Sequence, residues 1–233
     1  MINMLETKQV TKIQFFATLL LVLILSVTGT TYAYFAFSAT NNTISGEAAV
    51  VDLELDVTRV FPTDDSENTG VMVPQLSTSG STNSALSSAL KNGCVDGNNN
   101  IICQVYKVNI ENSSGTAAQV VDGSIAFYGN SAMTNDVNST MPNLRWKLIT
   151  SVDTTTPSNS VLGSNVDLIA DANDDNIFAN DVTMAIGSEE NYYIIIWINE
   201  TQEDQVIDVG NSFYAKITFD SSNGTGVTSN FGI

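Results

Sequence analysis

The chain has 233 residues, 25 of them acidic and 8 basic, with a net charge of −17 and no histidine. The missing imidazole excludes Ser-His-Asp and Cys-His catalysis, HExxH zinc sites and every His-ligated metal. The negative balance argues against nucleic acid and anionic lipid as ligands, and the length suffices for one all-β domain or two small ones with a real core.

Lys8 and Lys12 precede the apolar run Phe15–Leu25, in which only Thr18 is polar, and a weakly polar stretch ends in Thr31-Tyr32-Ala33. Positive end, short apolar core and small-residue site are the layout of a secretory signal peptide. A spanning helix wants about 20 apolar residues, and this core is roughly half as long. The expectation is a signal peptide over residues 1–33, cut between Ala33 and Tyr34, with an uncleaved membrane-anchor helix over 13–37 as the alternative. Either way the rest of the chain lies outside the cytoplasm. Removing Glu6, Lys8 and Lys12 with the leader leaves 24 acidic against 6 basic residues, a net charge of −18.

Residues 34–46 read as an extended segment ahead of a domain spanning 47–233. In Tyr34-Phe35-Ala36-Phe37-Ser38-Ala39, the side chains of Phe35, Phe37 and Ala39 share one face at strand period. An aromatic end of this kind is a candidate donor strand, able to satisfy the unpaired edge of a sheet in its own domain or in the next subunit.

From Val51 onward, Val51, Leu53, Leu55 and Val57 alternate with Asp52, Glu54, Asp56 and Thr58, the pattern of a half-buried strand. Phe61-Pro62 ends it. Ala85, Leu86, Ala89 and Leu90 sit at helical spacing within a Ser-rich stretch, which predicts one short surface helix. Cys94 and Cys103 enclose VDGNNNII, and in a secreted chain so close a pair predicts a disulfide across a hairpin, with no redox CxxC.

Tyr106, Val108 and Ile110 alternate with polar residues and predict the next strand. Gln119–Val121 and Ser124–Tyr128 follow, then Leu144, Trp146 and Leu148, then Val182, Met184 and Ile186. Asn191–Asn199, NYYIIIWIN, is almost continuously apolar and is expected as the central strand, covered on both faces. Phe213, Ala215, Ile217 and Phe219 close the series. About eight strands with polar turns and one minor helix describe an all-β, jelly-roll-like β-sandwich behind its leader.

Three groups of residues invite a functional reading. Asp171, Asn173, Asp174, Asp175 and Asp181 in DANDDNIFAND offer oxygen ligands for calcium, the one cofactor considered. The EF-hand pattern fails there, since Asn176 stands at the glycine position and Val182 at that of the bidentate acid, so a solvated acidic turn is the alternative. Trp146, Tyr192, Tyr193 and Trp197 are candidates for a sugar-binding face, with packing inside the sheets as the competing role. Ser and Lys occur in no SxxK or GxSxG arrangement, which leaves no nucleophilic hydrolase motif.

The join between leader and first strand carries a family likeness. Gly29-Thr30-Thr31-Tyr32-Ala33-Tyr34-Phe35, then Asn42-Thr43-Ile44-Ser45-Gly46, then Val51-Asp52-Leu53-Glu54-Leu55, resembles the TasA/camelysin family. Its secreted members share a leader ending in an AYF-type motif, handled by a dedicated ER-type signal peptidase of the SipW kind. This sequence departs in having Ala-Phe-Ser where an acidic Ser-Asp is usual, and about three extra residues before Val51. The resemblance implies a jelly-roll domain deployed as a fibre subunit of an extracellular biofilm matrix or as a cell-surface protein. Its partners would be copies of itself, the signal peptidase, and other matrix or cell-wall components, with no nucleic acid. Camelysins have been described as metallopeptidases, but no catalytic motif here matches one. The expectation is therefore a non-enzymatic structural protein, with a surface adhesin or carbohydrate-binding module as the alternative.

Overall fold

A computed structural model describes residues 52–63, 72–74, 84–115, 117–164, 166–173, 176–201, 205–208 and 210–232. The leader, the Ala33/Tyr34 junction, the candidate donor strand with Tyr34, Phe35, Phe37 and Ala39, and the candidate ligands Asp174 and Asp175 lie outside the described residues.

The strands are β1 (Leu53–Phe61), β2 (Cys103–Asn112), β3 (Gln119–Tyr128), β4 (Leu144–Leu148), β5 (Leu168–Ile169), β6 (Ile177–Met184), β7 (Glu189–Ile198), β8 (Tyr214–Ser221) and β9 (Gly226–Gly232), with one α-helix, α1 (Ser84–Lys91). They form two antiparallel sheets, ordered β1-β2-β7-β4-β5 and β6-β3-β8-β9. The chain changes sheet after β2, β3, β5, β6 and β7, so four of the seven strand pairings join strands that are not consecutive in sequence. This is an all-β sandwich.

Alternation decides what the sheets enclose. Val108, Ile110, Val121, Ile125, Phe127, Leu144, Trp146, Ile194, Ile196, Ile217 and Phe219 are buried between the two layers. β7 takes the centre of the five-stranded sheet, as its apolar run predicts. Ile194, Ile196 and Ile198 face the sandwich core, while Ile195 and Trp197 face a second apolar cluster on the sheet's outer side.

That second cluster is where α1 belongs. Leu86, Ala89 and Leu90 are buried against Phe61, Val105, Ile195 and Trp197, so the helix is a third layer over the sheet and not the surface helix expected from its Ser-rich neighbourhood. Gly93 and Cys94 adopt left-handed backbone (φ 70° and 67°), and the Gly93 and Cys94 amides donate to the Leu90 and Ala89 carbonyls. Ending the helix in this way turns the chain onto β2, where Cys94 bonds Cys103. Asp96 caps the intervening turn by accepting from the Asn98 and Asn100 amides.

Two boundaries differ from expectation. Gln119–Val121 and Ser124–Tyr128 are one strand, continuous through Gly123, where an added Cβ would stand 2.7 Å from the Phe219 ring. β6 begins at Ile177, five residues ahead of the Val182 start read from its alternation, and β9 was not anticipated at all.

Candidate assembly surface

A sandwich has four edge strands, and each exposes unpaired backbone N–H and C=O groups unless something blunts it. Among the described residues the edges are β1 and β5 in one sheet and β6 and β9 in the other. β5 is two residues long, too short to template another strand. β6 is kinked: its pairing with β3 shifts between Val121 and Gly123 and again between Gly123 and Ser124. Beside those shifts Asp181 stands at φ 52°, its amide donating to Asp122 Oδ1 at 2.7 Å. β1 carries exposed Glu54 and Asp56 on its outward face.

β9, Gly-Val-Thr-Ser-Asn-Phe-Gly, has none of these devices. It pairs with β8 in seven consecutive steps, from Gly226 opposite Asp220 to Gly232 opposite Tyr214, without a shift. It has no charged residue and no proline, and among the described residues its far edge pairs with no strand. Local chemistry makes it a strand: Asn223-Gly224 turns the chain, with Gly224 at φ 81° and its amide donating to the Ser221 carbonyl. An Asn-Gly pair flanked by alternating residues is a strong hairpin signal, and it was available in the sequence.

β1 lies beside β9 across the sandwich. The inward residues of both, Leu53, Leu55 and Val57 on β1, Val227 and Phe231 on β9, pack on the core yet remain only half-buried. This flank of the core is less completely covered than its centre. The seam opens into a cleft at each end. The larger, about 400 Å³, is lined by Thr58, Arg59, Pro62, Thr63, Tyr106, Phe231 and Gly232; the smaller, about 180 Å³, by Asp52, Leu53, Thr225, Gly226 and Val227.

Tyr106 forms the wall of the larger cleft. Its ring lies 4.2 Å from that of Phe231, and its hydroxyl donates to Gln104 Oε1 at 2.6 Å. Burial pushes the Tyr106 hydroxyl up to about 12, against a smaller opposing pull from Arg59. The phenol is therefore a fixed, neutral hydrogen-bond donor at any physiological pH.

The other sequence candidates sit elsewhere. The Cys94–Cys103 disulfide is formed and fully buried. Asp171 accepts hydrogen bonds from the Asn173 amide and from the side chains of Asn173 and Asn176, so its carboxylate closes its own turn. Asp181 stands on β6 with its amide tied to Asp122. Among the described residues no three Cys, Asp or Glu side chains gather in a group able to hold a metal.

Trp146 and Trp197 are buried on opposite faces of the five-stranded sheet. Tyr192 packs edge-on against Phe178, and Tyr193 lies against the outer cluster. The four aromatics therefore serve packing and do not converge on one open face. Among the described residues no helix is long and apolar enough to cross a membrane.

No protein-family model and no curated protein matches the chain. Among solved structures it is similar to one titled "Structure of Iho670 Flagellar-like Filament", at 11% identity and a TM-score of 0.24, over 93% of this chain and 96% of that one. A likeness of that size bears on neither fold nor function.

Proposed function

We propose that this chain is a secreted, TasA/camelysin-like structural protein of the cell surface or biofilm matrix, a subunit that assembles and does not catalyse. The leader is removed between Ala33 and Tyr34, and subunits join by donor-strand exchange, the extended segment Tyr34–Ser45 of one copy completing the sandwich of the next. Such a contact is head-to-tail and does not close, so it propagates into a fibre. The observation that carries this reading is β9: an uncharged, unkinked edge of seven residues beside an incompletely covered flank of the core. A monomer designed to stay in solution would blunt such an edge.

The test is negative-stain imaging of protein beginning at Tyr34, alongside the same protein lacking Tyr34–Ala39. Filaments from the first and folded, dispersed monomers from the second are expected. Dispersed monomers from both would remove the fibre reading, and undiminished filaments from the deletion would remove the donor-strand mechanism.

A further inference from the structure

We infer that β9 pairs with β9 of a second copy, antiparallel about a two-fold axis at Ser229, so that two four-stranded sheets become one continuous sheet. This inference does not rest on the fibre reading. It names another occupant for the same edge, made entirely of residues in the fold, and the contact is isologous and closed.

The backbone sets the pairing. At the hairpin the Ser221 amide donates to the Thr225 carbonyl, and hydrogen-bonded pairs recur at every second residue along an antiparallel ladder. Val227, Ser229 and Phe231 therefore turn their N–H and C=O groups toward β8, while Gly226, Thr228, Asn230 and Gly232 turn theirs to the open side. With the axis at Ser229, Gly226 meets Gly232 of the second copy and Thr228 meets Asn230 of the second copy. All four open-side residues of each strand are then paired. Moving the axis to Thr228 strands Gly232, and moving it to Asn230 strands Gly226.

The side chains agree with that register. Directly opposite residues project to the same side of a sheet and interact there. Val227 meets Phe231 of the second copy, twice by symmetry, a β-branched residue beside an aromatic one. Both are only half-buried in the single domain, so each gains cover. On the outward side Thr228 meets Asn230, a hydroxyl beside an amide. One strand further back, the row through Asn230 starts at Lys216 and ends at Thr218 of the second copy. The row through Gly226 starts at Asp220 and ends at Tyr214 of the second copy. No row brings together two charges of one sign, although the chain as a whole is strongly acidic. A seven-residue edge is a small contact, and it comes apart at the dilution of an imaging grid. At high concentration it covers the edge that a donated strand needs.

The test uses protein beginning at Thr40, which lacks the Tyr34–Ala39 segment, with circular dichroism as the check on folding. Every strand of the two described sheets lies between Leu53 and Gly232. Sedimentation equilibrium is expected to show a monomer–dimer equilibrium and no larger species. Asn230→Pro removes an N–H that points away from β8, so the domain keeps its ladder while the contact is blocked. It is expected to weaken the dimer by roughly ten- to a hundredfold, the factor carried by the two symmetric hydrogen bonds lost. Ser229→Cys, which stands opposite itself at the axis, is expected to give a disulfide-linked dimer under mild oxidation. Val227→Cys is expected to give none. The native Cys94–Cys103 bond is buried and stays out of the exchange. Should the shorter chain not fold, the same two cysteine variants are read in the soluble fraction of protein beginning at Tyr34.

A monomer at every concentration, equal cross-linking at both positions, or a dimer indifferent to Asn230→Pro would overturn the inference. Failure of protein beginning at Tyr34 to form fibres would remove the fibre reading and leave the β9 pair standing. Undiminished fibre growth from the covalent Ser229→Cys dimer would overturn the competition between the two occupants.

Discussion

Tyr106 shows how one side chain links core, cleft and pH. It is buried on β2, donates to the buried Gln104, and packs its ring against that of Phe231 on β9. Tyr106→Phe leaves Gln104 Oε1 unpartnered in the core, beside an Nε2 that already has no hydrogen bond. The expected cost is about 1–3 kcal/mol in denaturant unfolding. Alkaline stability follows from the raised pKa. Below pH 10, the ordinary tyrosine value, folded and unfolded states are both protonated and the contribution is intact. Between pH 10 and about 12 the unfolded chain loses the proton first, so stability falls as pH rises. Tyr192, raised by burial and by Glu190, acts in the same sense. The fall in stability across this window should therefore be shallower in Tyr106→Phe than in the parent. Equal slopes would show that Tyr106 is not the group responsible.

Among the elements, the outer face of the five-stranded sheet is divided between two chemistries. One half is covered by α1 and its disulfide-pinned turn. The other is open, and there Glu54 on β1 stands opposite Glu111 on β2, which stands opposite Glu189 on β7. Like charges directly opposite destabilise a ladder, by amounts on the scale of 0.2–1 kcal/mol for a cross-strand pair, roughly. Glu111→Lys converts the row to alternating sign and is expected to stabilise the domain by about 0.5–1 kcal/mol at low salt, with the gain shrinking as salt is added. A thermal midpoint that is unchanged or lowered would mean that the three carboxylates do not meet across the sheet.

At the scale of the whole molecule, net charge opposes the proposed assembly. A chain beginning at Tyr34 carries 24 acidic against 6 basic residues, while the donor segment and β9 are both uncharged apart from the new amino terminus. Attraction at the contact is thus apolar and backbone-mediated, and repulsion between subunit bodies is long-ranged. The Debye length shrinks from about 30 Å at 0.01 M salt to about 8 Å at 0.15 M. Seeded fibre elongation, followed by light scattering, is expected to speed up at least about tenfold over that range. Elongation that slows with salt would place attractive charge pairs at the interface, contrary to the geometry proposed.

Period-two alternation fixes which face of a strand meets water, so β1, β2, β4 and β8 were legible in sequence, as was the doubly covered β7 from its unbroken apolar run. The Cys94–Cys103 bond was legible because the chain has only these two cysteines and they stand nine residues apart. α1 was visible as a period and misjudged as a location, since what it covers, Trp197 and Val105, comes from strands far away in the chain. β9 escaped notice because Gly226, Thr228, Asn230 and Gly232 supply little hydrophobic contrast, although Asn223-Gly224 marked its hairpin. The candidate assembly surface was not legible at all. An edge is unprotected only by comparison with the other edges, and which strands are edges is decided by pairing between distant segments. The sequence by itself determined the alternating strands and their all-β class. Only the tertiary structure decided that the uncharged strand stands at the margin of its sheet, next to a flank of the core that β1 and β9 leave half-covered.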